Sequence, residues 1–124
     1  MWDSTGLAYG ALFMQLDLNK TLVRLSRSQL EIEAFCQRWQ ISEFALFGSV
    51  LREDFRPDSD VDVLVELQPT APKGLSEWIA MQDELEALFG RQVDLVSKRA
   101  IQESHNWIRK RNILSTAQVI YGGS

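Results

Sequence analysis

The chain has 124 residues, of which 45% are hydrophobic and 24% are charged, and its formal net charge is −4. That length allows one compact domain with a single core, but hardly two. The negative charge argues against a general nucleic-acid binder, because a phosphate polymer normally meets a basic surface. The single cysteine, Cys36, cannot form an internal disulfide, which favours a reducing compartment such as the cytoplasm.

The N-terminal residues match neither a signal peptide nor a membrane span. Residues 7–16 are fairly apolar, but no Lys or Arg precedes them. They also fall well short of the roughly 20 residues that a membrane-spanning helix needs. We therefore expect no membrane association, an N-terminal extension over residues 1–27, and one domain over residues 28–124.

Hydrophobic periodicity predicts alternating helices and strands in the first half of the chain. Ser28 and Glu31 have the spacing of a capping box, which predicts that a helix opens there. Residues 41–47 have the pattern of a buried strand, and a short helix should follow through Arg52. Residues 61–67 alternate apolar and polar side chains, which predicts a second strand.

The second half continues the alternation. Residues 75–89 have apolar side chains at helical spacing, and Gly90 should end that helix. A short apolar strand around residues 93–96 precedes a helix predicted over residues 102–115, and an apolar end follows at residues 119–121. This order predicts an α/β or α+β fold, in which helices flank a small mixed β-sheet.

Two acids lie two residues apart at the second predicted strand. Val61, Val63 and Val65 form an apolar row, so Asp60 and Asp62 should share the opposite face. Their Cα atoms would lie about 6.5 Å apart. Carboxylates this close repel each other, and a divalent cation such as Mg²⁺ or Mn²⁺ is the natural compensation. Alone, the pair could equally be the solvated face of an amphipathic strand.

A Gly-Ser pair at the end of the first predicted strand favours the metal site. At Gly48 the missing Cβ would let a phosphate approach the backbone, and Ser49 could offer its hydroxyl and N–H groups to an anion. Arg52 would add a planar cationic fork suited to phosphate. The alternative for this arginine is a structural ion pair with Asp54 or Asp58.

A third acid, Asp94, lies in the separate predicted strand around residues 93–96. Together these features resemble the DNA polymerase β-type nucleotidyltransferase superfamily, and in particular its minimal nucleotidyltransferases (MNT proteins). The resemblance covers about residues 28 to 122. It rests on a Gly-Ser pair, ten intervening residues, a pair of acids and a later acid: Gly48, Ser49, Asp60, Asp62 and Asp94.

The resemblance implies a nucleotidyltransferase fold and a metal-dependent reaction. Asp60 and Asp62 would hold two Mg²⁺ ions, with ATP as the substrate. Asp94 would bind one of these ions and help to deprotonate or orient an attacking hydroxyl. The resemblance also implies nucleotide or phosphate contacts for four residues around the turn: Gly48, Ser49, Arg52 and Ser59.

Some minimal nucleotidyltransferases are MntA-type antitoxins, which pair with HEPN-domain ribonuclease toxins of the HepT type. The resemblance implies that this chain moves AMP from ATP onto a tyrosine hydroxyl of such a toxin and so silences it. Two alternatives stay open. One is nucleotidyl transfer to a small molecule, as in antibiotic-resistance relatives, for which this chain is short. The other is a non-catalytic antitoxin that neutralises its partner by occlusion.

Five basic residues concentrate positive charge in the second half of the chain: Lys98, Arg99, Arg109, Lys110 and Arg111. They could steer triphosphate or bind an acidic partner, although a solvated helix face is favoured. Trp39 and Trp78 fit core positions, whereas Trp2 and Trp107 could be exposed anchors for a partner. The lone histidine, His105, is assigned no catalytic role.

Overall fold

The computed structural model describes residues 29–51 and 59–122, apart from the side chains of Ser49 and Val50. The described elements, in chain order, are helix α1 (Gln29–Arg38), strand β1 (Ile41–Phe47), a 3₁₀ turn (Gly48–Leu51), strand β2 (Val61–Leu67), helix α2 (Leu75–Phe89), strand β3 (Val93–Ser97), helix α3 (Lys98–Gln102), helix α4 (Trp107–Thr116) and strand β4 (Gln118–Gly122). The predicted N-terminal extension, Ser28 and Arg52 lie outside the described residues.

The four strands form one mixed sheet in the order β3-β2-β1-β4. Strand β1 pairs antiparallel with β2 and β4, whereas β2 and β3 are parallel and joined by α2. Phe47 is paired with Asp62, and Asp62 is paired with Asp94. These three residues mark one end of the sheet, which we call the acidic end. The predicted fold class, a small mixed sheet flanked by helices, is confirmed.

The main hydrophobic core lies between one face of the sheet and helices α1 and α2. Val61, Val63 and Val65 are buried on this face, as their alternation in sequence predicts. Trp39 and Trp78 pack against this core while remaining partly exposed, so their predicted core positions are confirmed. The two helices contribute six buried side chains: Ile32, Phe35, Cys36, Met81, Leu85 and Phe89.

Cys36 is buried in α1, as its position on the apolar helix face predicts. Burial raises the pKa of its thiol to about 12, and the nearby charge of Glu33 adds to the rise. The thiol therefore stays protonated at neutral pH, and Cys36 contributes to packing rather than to reactivity.

A smaller core lies on the other face of the sheet, beneath α3 and α4. It consists of five buried side chains: Ala45, Phe47, Leu64, Ile101 and Ile113. Both faces of the sheet are therefore covered over part of their area. Within residues 29–51 and 59–122, every helix is too short or too polar to cross a lipid bilayer.

The helix predicted over residues 102–115 is confirmed only from Trp107, where α4 begins. Residues 103–106 form a break instead, and the sequence analysis did not predict the short helix α3 that precedes it. The hydroxyl of Ser97 caps α3 by accepting from the Ala100 N–H at 3.3 Å. The Asn106 side chain caps α4 by accepting from the Arg109 N–H at 3.1 Å. Such caps start a new helix wherever a short polar side chain can satisfy free N–H groups. The apolar end, to which the sequence assigned no strand, forms β4 beside β1.

Candidate active site

Asp62 and Asp94 lie side by side at the acidic end of the sheet. They are paired in the parallel register of β2 and β3, so their Cα atoms are separated by about one strand spacing, roughly 4.8 Å. Because Val61 faces the main core, both carboxylates belong to the opposite face, where Asp62 is half-buried and Asp94 is exposed. Asp60 is exposed and comes two residues before Asp62, immediately ahead of β2. The structure therefore brings two of the predicted acids together and places the third close by in the chain.

Within the described parts of the chain, no three His, Cys, Asp or Glu side chains gather closely enough to hold a metal ion. A centre formed by all three acids therefore stays a prediction. The donor set of Asp60, Asp62 and Asp94 does fit Mg²⁺ chemically, because all three ligands offer hard carboxylate oxygens. Their partial or full exposure leaves room for water and for substrate phosphate to complete the coordination.

Gly48 forms the turn out of β1 beside Asp62. Its φ is +77°, a left-handed conformation that side chains disfavour. A Cβ at this position would lie 2.0 Å from Asp62 Oδ2 and 3.0 Å from its Cγ. The predicted phosphate role requires Gly48 to lie near the acids. Gly48 lies beside one of them, Asp62, and the phosphate contact itself stays a prediction. The structure adds a second reason for glycine, since any side chain would occupy the space that the Asp62 carboxylate fills.

The other predicted nucleotide-binding residues are described only in part. Ser49 belongs to the 3₁₀ turn that follows β1, where the sequence predicted a short helix. The position of its side chain is not described. Arg52 lies outside the described residues. Ser59 is half-buried, and its carbonyl accepts a hydrogen bond from Arg91 Nη1 at 3.3 Å. The nucleotide contacts of these residues stay predictions.

Arg91 is a cation beside the residue that precedes Asp60, and the sequence analysis missed it. It is half-buried in the short loop between α2 and β3. The carbonyl of its neighbour Gln92 accepts from the Val61 N–H at 2.9 Å, so this loop touches the start of β2 twice. The sequence signal that could have identified Arg91 is its position just ahead of the strand that carries Asp94.

The basic residues of the second half divide between structural contacts and solvent exposure. Lys98 Nζ lies 2.7 Å from the carboxylate of Glu43, which is only 7% exposed. Arg99 forms an exposed ion pair with Glu103. Arg109 and Arg111 are exposed on α4, in agreement with the favoured solvated face.

Two aromatic predictions can be compared with the structure at the start of α4. Trp107 is 65% exposed there, as expected of a candidate anchor for a partner. His105 is exposed in the preceding break between the helices, as expected for a surface side chain. Trp2 lies outside the described residues.

A groove of about 900 Å³ lies at the end of the sheet opposite the acidic end. Its lining includes Leu67, Trp78, Ser97 and Arg99, and it includes none of the predicted site residues. We therefore take the strand ends that carry the acids, rather than this groove, as the candidate active site.

The nucleotidyltransferase domain family matches residues 31–120. The chain belongs to this family. A curated relative, the protein adenylyltransferase MntA of Thermococcus cleftensis, is 38% identical over 66 residues, which make up 53% of this chain and 65% of that protein. The predicted assignment as a nucleotidyltransferase enzyme of the protein adenylyltransferase type is confirmed.

Solved structures agree with the fold. A minimal nucleotidyltransferase is 28% identical, with a TM-score of 0.59, covering 81% of this chain and 92% of that one. A toxin–antitoxin complex with AMP-PNP gives a TM-score of 0.61 at 17% identity, covering 78% and 75%. A complex of tri-AMPylated Shewanella oneidensis HEPN toxin with its MNT antitoxin gives 0.53 at 18% identity, covering 89% and 73%. The predicted resemblance to minimal nucleotidyltransferases is confirmed.

Proposed function

We propose that this chain is an Mg²⁺-dependent protein adenylyltransferase that moves AMP from ATP onto a tyrosine hydroxyl of a HEPN-family ribonuclease toxin, and so acts as its antitoxin. The observation that carries the proposal is the pairing of Asp62 with Asp94 beside the Gly48 turn, in a chain of the nucleotidyltransferase domain family. The relatives solved with AMP-PNP and with an AMPylated HEPN toxin support the nucleotide and the partner.

The residues at the acidic end have distinct roles in this reaction. Asp60, Asp62 and Asp94 would hold Mg²⁺, which supplies charge stabilisation for the oxygens of an in-line displacement at the α-phosphate. Asp94 orients the attacking tyrosine hydroxyl and helps to remove its proton. Backbone groups of the Gly48–Leu51 turn bind the terminal phosphates of ATP. The tyrosine oxygen then forms a bond to the α-phosphorus, the bond to the β-phosphate breaks, and pyrophosphate leaves.

Silencing of the toxin follows from the chemistry of the added group. AMP brings a negative phosphate and considerable volume to the modified tyrosine. Beside a ribonuclease site, both properties oppose the binding of RNA phosphates. Modification would therefore inactivate the toxin even after the two proteins separate, whereas occlusion would require them to remain bound.

Intact-mass spectrometry of a co-expressed HEPN toxin tests the proposal. With the wild-type chain we expect the toxin to gain the mass of AMP. With Asp94→Asn we expect much of the ATP affinity to remain, because Asp60 and Asp62 are intact, while transfer is lost. A toxin that is neutralised by the wild type without any added mass contradicts the proposal.

The double variant Asp60→Asn/Asp62→Asn separates catalysis from occlusion. If neutralisation requires transfer, this variant should still bind the toxin but should no longer protect cells from it. Full protection by the double variant would favour the non-catalytic antitoxin. Transfer of AMP to a small hydroxylated compound, with no mass change on the toxin, would favour the small-molecule alternative.

A further inference from the structure

We infer that Arg91 is a positioning residue that holds the acid-bearing start of β2 in place for metal binding. The guanidinium Nη1 donates to the Ser59 carbonyl at 3.3 Å, and the Gln92 carbonyl accepts from the Val61 N–H at 2.9 Å. These two bonds hold the backbone on either side of Asp60. The inference rests on the proposed metal site.

Asp60 needs such support because of its place in the sheet. The pairing of β2 with β3 begins at Val61, and the pairing of β2 with β1 extends to Asp62. Asp60 therefore lies one residue before the described ladders begin. The position of its backbone depends on contacts outside the strand pairing, and Arg91 provides one of them.

The loop that carries Arg91 is itself fixed to the end of α2. Gly90 ends that helix in the left-handed conformation, and its N–H donates to the Glu86 carbonyl at 2.8 Å. The carboxylate of Glu86 accepts from the Val93 N–H at 3.0 Å. Arg91 lies between these two anchored residues, so its guanidinium extends from a fixed support.

Positioning and simple electrostatics make opposite predictions for metal affinity. A guanidinium bonded to the residue before Asp60 offsets part of the negative charge of the acidic end, so removing its charge alone should strengthen the binding of a divalent cation. Losing a residue that fixes a metal ligand should instead weaken cation binding. For residues that support a ligand from outside the coordination sphere, the loss in affinity is about tenfold or more. The sign of the change therefore identifies the role of Arg91.

The test measures Mn²⁺ binding in the presence of AMP-PNP. Electron paramagnetic resonance detects the ion that remains unbound. We expect Arg91→Met to weaken Mn²⁺ binding about tenfold, and Arg91→Lys, which keeps a cationic donor, to restore most of the affinity. Arg109→Met is the matched control, because it removes the same charge from an exposed site on α4 and should leave Mn²⁺ binding unchanged. Should Arg91→Met fail to fold, Arg91→Gln provides the same comparison and should weaken binding likewise.

Affinity in Arg91→Met that equals or exceeds that of Arg109→Met would overturn the positioning role. Failure of the underlying metal site has a different signature. In that case AMP-PNP with the wild-type protein would bind no more Mn²⁺ than AMP-PNP without protein. The Asp62→Asn substitution would then leave the amount of bound Mn²⁺ unchanged. Weaker binding in Asp62→Asn, together with normal binding in Arg91→Met, would refute the role of Arg91 and leave the proposed function intact.

Discussion

Replacing Gly48 by alanine imposes two separate penalties at the acidic end. The first is backbone strain, since a φ of +77° costs a side-chain-bearing residue about 1–2 kcal/mol. The second is steric, because the new Cβ would lie 2.0 Å from Asp62 Oδ2. That oxygen ends a flexible side chain, so the carboxylate can turn away at little cost in stability. To do so it must retreat by about 1 Å, and a misplacement of that size in an active site can cost about 100-fold in rate.

Gly90→Ala provides a control with the same backbone strain and no clash. Gly90 has a φ of +67°, and a Cβ there would meet no atom within 4 Å. Both variants should therefore lose about 1–2 kcal/mol of unfolding free energy. We expect Gly48→Ala alone to lose Mg²⁺-dependent nucleotide binding and to slow AMP transfer about 100-fold.

Urea denaturation measures the stability of both variants, and calorimetry with AMP-PNP and Mg²⁺ measures binding. Transfer is followed by the mass of the acceptor protein. Wild-type binding and transfer in Gly48→Ala would refute the reasoning, since the Asp62 carboxylate would then tolerate displacement. Equal functional losses in the two glycine variants would also refute it, because backbone strain alone would explain them.

Three further predictions concern one of the acids, a buried ion pair and the buried thiol. Asp62→Ala should lose Mg²⁺-dependent AMP-PNP binding by calorimetry and keep its circular dichroism spectrum, since removing a repelling carboxylate need not destabilise the protein. Lys98→Ala should cost about 3 kcal/mol in urea denaturation, because Glu43 would be left buried without its ion-pair partner; Arg99→Ala, which breaks an exposed pair, should cost less than about 1 kcal/mol. The pKa of the Cys36 thiol is about 12 in the native protein, against 9.0 in the unfolded chain. Between these values the unfolded thiol ionises while the native thiol stays protonated. The unfolding free energy of the wild type should therefore fall by about 1.4 kcal/mol per pH unit more steeply than that of Cys36→Ala. Equal alkaline slopes in these two proteins would contradict the burial of the thiol.

The alternation of strand β2 made the acids predictable from the sequence. Side chains on a strand alternate between faces, so the apolar row at Val61, Val63 and Val65 places Asp62 on the other face whatever the neighbouring strands are. The pairing of Asp62 with Asp94 was not contained in that pattern. It depends on the register between β2 and β3, which tertiary packing sets.

Contacts between distant segments explain what the sequence could not predict. Arg91 looks like an ordinary loop cation until the fold brings its guanidinium to the Ser59 carbonyl, 32 residues earlier in the chain. The start of α4, by contrast, is set by a local contact. The side chain of Asn106 caps this helix, so it begins at Trp107 rather than at residue 102.

The structure divides the acidic end into rigid and adjustable parts. Asp62 and Asp94 belong to hydrogen-bonded ladders, whose disruption would cost stability as well as function. Gly48 and Asp60 lie just beyond the ladders, where the adjacent turn and the proposed Arg91 support contribute to their positions. Changes in these flanking segments should therefore impair catalysis more than they reduce stability. Changes in the cores should do the reverse, as expected when a rigid scaffold carries a site built partly on its loops.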